Sequence, residues 1–252
     1  MTPDVAVVMG TWDRLRKLQA CVASVRAAAG GLTHVVLAAD AGSADGSREW
    51  LADQPDCELL EGGRDGAVKA FNTGYARAVD LGSPWIVTFN DDISFKPQPA
   101  TPQLTVAVQR LVADPRLGVV GFASDRYPGH AFNLIWGITY PTQCLFRREA
   151  GMAVARAQGD PTGKAMWDRR FHTYASDTCF GLWLRRLGWG FHEARDLWVH
   201  DPYSCEDGLH DPLRQRNHAL YTNGEEFRAS WPRAAAAAYN RADAARYGGV
   251  LR

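Results

Sequence analysis

The chain has 252 residues, 46% of them apolar and 22% charged, an ordinary globular composition with enough length for one full hydrophobic core. Basic and acidic residues number 28 each, so no net field draws the protein to nucleic acid or anionic lipid, although a local basic patch would still suit a charged acceptor. No apolar run approaches the ~18 residues of a membrane span, and no leader-like segment precedes the first strand, so a cytoplasmic protein with no membrane span is expected.

The pattern begins with Val5 to Met9, a short apolar run of the kind found in central parallel strands buried on both faces. Leu15, Leu18, Val22 and Val25 then recur at helical spacing. Val35 to Ala39 is a second buried strand that stops at Asp40, and Gly42 to Gly46 reads as a loop. A short helix from Ser47 to Leu51 leads to a third strand over Cys57 to Leu60. Ala67 to Val79 carries a helix stopped by Gly82-Ser83-Pro84. Trp85 to Phe89 is a fourth strand, and it runs directly into Asn90-Asp91-Asp92.

The second half is less regular. Strands are expected over Leu117 to Ala123 and Gln143 to Phe146, followed by a helix from Arg147 to about Ala157. Asp177 to Leu187 is helical, with Phe180, Leu184 and Leu187 on one face, and Gly190 to His192 and Leu197 to His200 read as two short strands. The Ala-rich segment 211–252 reads as a helical C-terminal extension packed on the domain formed by residues 1–210. No internal repeat is present. The five cysteines are scattered and odd in number, without a C-x-x-C pair, which argues against a disulfide framework or zinc ribbon.

Alternating strands and helices joined by short loops predict an α/β fold with a doubly wound, mostly parallel central sheet. Ligands bind such sheets beyond the carboxyl ends of the strands. Three polar features fall there: Gly10-Thr11-Trp12-Asp13-Arg14, Asp40, and Asn90-Asp91-Asp92.

Adjacent carboxylates at a strand end repel one another unless a cation joins them. Mg²⁺ or Mn²⁺ suits this position, because such an ion takes one or two protein carboxylates and fills its other places with phosphates and water. A diphosphate leaving group needs an ion of this kind to absorb its developing charge. The bland alternative is an acidic turn. His200 closes a late strand, where a neutral imidazole is either structural or the completing ligand of a metal site. The spacing of His200, Cys205, Glu206 and His210 fits no common zinc motif. Asp177 stands at a helix start, where it serves as an N-cap, as a general base, or as both. Arg14 and Lys69 are candidates for phosphate or base contacts. The glycines of Gly62-Gly63-Arg64-Asp65-Gly66 mark a close turn and match neither a P-loop nor a dinucleotide fingerprint.

The order of these motifs resembles the family 2 glycosyltransferases, inverting enzymes of the GT-A fold, especially rhamnosyltransferase-like members. Val5 to Arg14 looks like the opening strand and P-T-Y-N-R. Val36 to Ser47 is similar to V-V-D-D-G-S-T-D-G-T, and Gly66 to Gly74 to the glycine-led segment ending in N-x-G. Asn90-Asp91-Asp92 sits where D-x-D belongs, Trp167 to Phe171 resembles F-D-E-x-F, and Ser176 to Arg185 resembles E-D-x-D-L-x-L-R-L-R.

The resemblance implies that Asp40 holds the nucleobase, with Gly10, Thr11, Trp12, Arg14 and Lys69 in the nucleotide-sugar site and Asn90 and Asp91 beside the ribose and diphosphate. It makes Asp92 and His200 the ligands of Mn²⁺ or Mg²⁺, and Asp177 the general base for one-step displacement at the anomeric carbon. The implied donor is a UDP, dTDP or GDP sugar. The acceptor is left open among carbohydrate, small metabolite and modified nucleobase, with Trp136, Tyr140 and Trp198 available for stacking. Asn90, Ala41, Ser176 and Cys179 depart from the family pattern. Those departures keep a non-catalytic nucleotide-sugar binding protein as an alternative, whereas a sugar nucleotidyltransferase would need a different loop after the first strand.

Overall fold

A computed structural model describes residues 1–98, 102–124, 132–135, 138–141, 143–169, 171 and 176–201. The expected extension 211–252, Trp136, and Cys205, Glu206 and His210 lie outside the described residues.

The elements follow in the order β1 (Val5–Thr11), α1 (Leu15–Ala29), β2 (His34–Asp40), α2 (Ser47–Ala52), β3 (Cys57–Glu61), α3 (Ala67–Leu81), β4 (Trp85–Thr88) and β5 (Ser94–Phe95). They continue with α4 (Gln103–Ala113), β6 (Leu117–Ser124), β7 (Phe132–Ile135), β8 (Ile138–Pro141), β9 (Cys144–Arg147), α5 (Arg148–Ala157), α6 (Ser176–Arg186) and β10 (Gly190–His200). Eight strands form one sheet in the order β3-β2-β1-β4-β9-β6-β10-β5, and β7 pairs with β8 as a separate hairpin. The strands β3, β2, β1 and β4 are parallel neighbours, as are β6 and β10, while β9 and β5 run antiparallel. The sheet is thus the expected α/β, mostly parallel, GT-A-like one.

Strand β1 shows why the sheet is covered on both sides. Its side chains alternate between faces. Val5, Val7 and Met9 enter one buried cluster with Leu18, Val22 and Val25 of α1 and Leu104 and Leu111 of α4. Ala6 and Val8 enter a second cluster with Tyr75 of α3, Val154 of α5 and Phe180 and Leu184 of α6. Each fully buried Val, Leu or Phe contributes about 1.5–3 kcal/mol. Helix α3 comes unusually close to β1 because Gly74 has no side chain: a Cβ there would lie 2.5 Å from Val8 Cγ1 and 3.4 Å from the Leu37 carbonyl oxygen.

Three expectations are corrected. Residues 190–200 form one strand, with a register shift between Ala194 and Trp198 where two strands are expected. Asp177 lies within the first turn of α6, after Ser176, and is not its N-cap; a carboxylate there still meets the positive end of the helix dipole favourably. Strand β4 ends at Thr88, although the Phe89 amide still donates to the Val8 carbonyl and keeps the chain straight up to Asn90.

Candidate functional site

The loops after β1, β2 and β4 meet at one edge of the sheet. The first two are stitched together by side chains. Asp13 has a left-handed backbone (φ 49°), a conformation that aspartate tolerates better than most residues. Its amide donates to Ser43 Oγ at 2.9 Å, and its Oδ1 accepts from the Ala44 amide at 2.7 Å. Asp45 Oδ2 accepts from the Leu15 amide at 2.8 Å, supplying the start of α1 with an acceptor from a different loop. These bonds fix the path of Trp12-Asp13-Arg14.

Arg14 is thereby aimed at the acidic turn. A single guanidinium nitrogen, Nη1, donates to Asp91 Oδ1 and to Asp92 Oδ2, each at 3.0 Å. The carboxylates are largely covered, while about half of the Arg14 side chain remains exposed. Burial raises the Asp91 carboxyl above the usual carboxylate range, against the opposing pull of Arg14. Helix α1 reinforces the turn from below, where the buried thiol of Cys21 lies 3.5 Å from the Asn90 carbonyl oxygen. Burial first, and then the charges of Asp91 and Asp92, push that thiol's pKa up. Thr11 Oγ1, at the end of β1, and Asp91 Oδ2 are both buried and make no hydrogen bond of good geometry, although the Thr11 hydroxyl is near enough to Asp91 to pull its carboxyl down.

Asp40 is fully buried at the end of β2. Its Oδ1 accepts from the amides of Gly42 and Ser43, both at 2.9 Å, and from Arg48 Nη1 at 2.8 Å. Its Oδ2 accepts from Ser43 Oγ at 2.5 Å. Burial works to raise this carboxyl, but the bonds from Ser43, Arg48 and Gly42 outweigh it and hold it below the usual range. Asp40 therefore organises its own loop in this structure. Arg48 joins it to Glu61 of β3, a contact that sequence reasoning missed and that no spacing signals.

Trp12 is the chief exposed aromatic of this edge, 52% accessible, and the Arg64 guanidinium sits 5.3 Å over its ring. Arg64 Nε also donates to the Ala41 carbonyl at 3.3 Å, so the glycine-rich turn closes over the loops after β1 and β2. Arg64 is a second residue that the sequence reading passed over.

The remaining expected residues separate. Gly10 packs against α3, where an added Cβ would lie 3.2 Å from Ala70 Cβ. Lys69 pairs with Asp65 on the exposed start of α3. Asp177 lies near the end of β4. Burial pushes the Cys144 thiol up to about 12, with the charge of Asp177 adding to it, and Cys144 touches Thr88 Oγ1 at 3.5 Å. His200 is exposed and pairs across the ladder with Ser94, two residues beyond Asp92. Among the described residues, no three His, Cys, Asp or Glu side chains form a ready-made metal cage.

The loop before α6 is braced from the other half of the chain. Asn72 Nδ2 donates to the Trp167 carbonyl at 2.9 Å, and Asn72 Oδ1 accepts from the Trp167 amide at 3.0 Å. The Trp167 ring stacks between Phe71 (5.4 Å) and Phe180 (5.9 Å). The N-x-G and W-D segments, far apart in sequence, are therefore a single bracket that carries Asp168 and the start of α6.

The family model described as "Glycosyl transferase family 2" matches residues 6–159. Comparison with curated proteins gives no match. Among solved structures, the mannosyltransferase PcManGT from Pyrobaculum calidifontis, in complex with GDP-Man and Mn²⁺, aligns with a TM-score of 0.66 at 18% identity, over 100% of this chain and 77% of that one. S. aureus TarS aligns with a TM-score of 0.61 at 12% identity, over 99% of this chain and 44% of that one, so this chain spans less than half of TarS. Glucosyl-3-phosphoglycerate synthase from Mycobacterium tuberculosis, in complex with Mn²⁺, UDP and phosphoglyceric acid, aligns with a TM-score of 0.56 at 13% identity, over 87% of this chain and 78% of that one. At these identities the likeness is one of fold.

Proposed function

Because the chain belongs to glycosyl transferase family 2, we propose that it moves a sugar from a nucleoside diphosphate to an acceptor hydroxyl, with a divalent ion at the acidic turn and inversion at the anomeric carbon. The observation that carries this reading is the buried cluster at the ends of β1 and β4, in which Arg14 holds Asp91 and Asp92 and the Thr11 hydroxyl lies beside Asp91 without a bond of good geometry. Hydroxyl donors of a ribose would satisfy Thr11 and Asp91, and the diphosphate would then lie against Arg14 and Asp92.

The donor set also fits Mn²⁺ or Mg²⁺. Its oxygens are hard carboxylates, one of them lacking a hydrogen bond of good geometry, and such ions accept few protein ligands when phosphates supply the rest. Asp92 would hold the ion and Asp91 would lie beside it. His200, paired across the ladder with Ser94, would be a second ligand. When bound, the ion neutralises charge developing on the leaving diphosphate.

The protein's own residues divide the remaining work. The base would rest against Trp12, whose other face Arg64 covers, and against the loop that Asp40 and Arg48 hold in shape. Asp177 would accept the proton of the acceptor hydroxyl as that oxygen bonds to the anomeric carbon and the bond to the diphosphate breaks. Its position by Cys144 and the β4 end, and at the positive end of α6, supports the role. The motif order favours a hexose or deoxyhexose donor, including rhamnose. Four free thiols among the described residues suit a reducing compartment such as the cytoplasm. No described helix is long and apolar enough to cross a membrane.

The test is calorimetric titration of UDP, GDP and dTDP, each with Mn²⁺, into the wild-type protein and Asp92→Ala. At least one nucleotide binds the wild type, and the variant loses the metal-dependent part of that affinity. Equal affinity in both proteins would remove Asp92 from the metal site.

A further inference from the structure

The contact between Arg14 and the acidic turn has a chemical meaning of its own. Two neighbouring carboxylates, both largely covered, would repel strongly if left alone. One guanidinium nitrogen bridges them at 3.0 Å to each, occupying the position between Asp91 and Asp92 that a cation would otherwise take. The bridge is geometrically committed, because Asp13, Ser43, Ala44 and Asp45 fix the loop that carries Arg14. Yet about half of the Arg14 side chain is exposed. It can swing away without breaking the core, and half-exposed ion pairs are held only weakly.

We propose that Arg14 is a built-in counter-ion for the acidic turn, and that it makes metal binding depend on the nucleotide. This deepens the nucleotide and metal reading above and rests on it. In the free protein, a divalent ion alone must displace Arg14 and leave the guanidinium without its two carboxylates. A nucleoside diphosphate changes that balance, because its phosphates give Arg14 a new anionic partner as the ion takes over Asp92. Metal and nucleotide then strengthen one another by equal factors, as linkage requires.

The experiment measures Mn²⁺ binding by electron paramagnetic resonance, with and without the nucleoside diphosphate that binds the wild type tightest. It compares wild type, Arg14→Gln and Arg14→Lys, each checked for native circular dichroism. Without nucleotide, Arg14→Gln binds Mn²⁺ on the order of tenfold tighter than wild type, the scale for releasing two half-exposed ion pairs. The ratio of Mn²⁺ affinities with and without nucleotide shrinks by the same factor. Arg14→Lys, which keeps the charge but not the fork, falls between the two. If Arg14→Gln binds Mn²⁺ alone no tighter than wild type, while both proteins still bind nucleotide with Mn²⁺, the counter-ion role is overturned and the transferase reading stands. If wild type binds no nucleoside diphosphate with Mn²⁺, both readings fall together.

Discussion

Asp91→Asn separates what the acidic turn does for the fold from what it does for a ligand. The Asp91 side chain is 4% exposed, and only its Oδ1 is hydrogen bonded with good geometry, to Arg14 at 3.0 Å. Burial of the poorly satisfied carboxylate costs roughly 1–3 kcal/mol in the free protein. Against that, the half-exposed pair with Arg14 returns about 1 kcal/mol at most. Asparagine has nearly the same volume, carries no charge to desolvate, and offers amide hydrogens to the Thr11 hydroxyl, whose bond to Asp91 has poor geometry. The variant should therefore be more stable by about 1 kcal/mol, raising the melting temperature by roughly 2–4 °C for a domain of this size. A ligand that donates to the carboxylate loses a charge-assisted bond worth about 1.5–3 kcal/mol, so nucleotide affinity falls about 10- to 150-fold. Thermal unfolding at pH 7 and calorimetry on the same samples read both numbers. A variant less stable than wild type by 1 kcal/mol or more, with affinity within twofold of wild type, would show that Asp91 serves the fold.

Asp56 tests the electrostatics away from the site. Hydrogen bonds from Arg26 hold its carboxyl at about 2, below its ordinary 3.8, so its contribution is present above pH ~4 and lost as the pH falls toward 2. Asp56→Asn should cost about 1–2 kcal/mol in urea unfolding at pH 7, with the gap from wild type closing between pH ~4 and ~2; a gap constant with pH would contradict the assignment. Gly74→Ala should destabilise by about 1–3 kcal/mol, because its Cβ would lie 2.5 Å from Val8 Cγ1, and unchanged denaturant midpoints would mean α3 shifts freely. Asp177→Asn should keep nucleotide affinity and lose turnover by about 10²-fold or more, measured as nucleotide release with acceptor present; near-normal turnover would leave Asp177 as a helix-dipole residue only.

The parallel half of the sheet was legible because buried strands write themselves as apolar runs. Val5 to Met9 and Val35 to Ala39 have nearly their observed bounds, and Asp40 and Asn90-Asp91-Asp92 fall at strand ends as expected. Helix α4 went unread although Leu104, Ala107, Val108 and Leu111 carry a helical stripe. The prolines before it and the β-branched Thr105 and Val106 within it obscure the period. The two residues of β5 are too short for any periodic signal; they are a strand only because β10 pairs with them. At the site, residue types were readable and partners were not. Arg14 looked like a base or ribose contact, yet the stitched loops turn it onto Asp91 and Asp92. Asp40 looked like an open ligand, yet Ser43, Gly42 and Arg48 take up its oxygens. Such pairings depend on two loops meeting in space, which no local pattern encodes.

Release of nucleoside diphosphate from a panel of UDP, GDP and dTDP sugars, with Mn²⁺ and a mixed set of hydroxyl acceptors, tests the central claim most directly. The account predicts that at least one donor is turned over by the wild-type protein, that chelation of the metal stops it, and that Asp92→Ala lacks it. Turnover of a donor that persists unchanged after chelation and in Asp92→Ala would contradict the claim that the acidic turn handles the diphosphate through a metal ion.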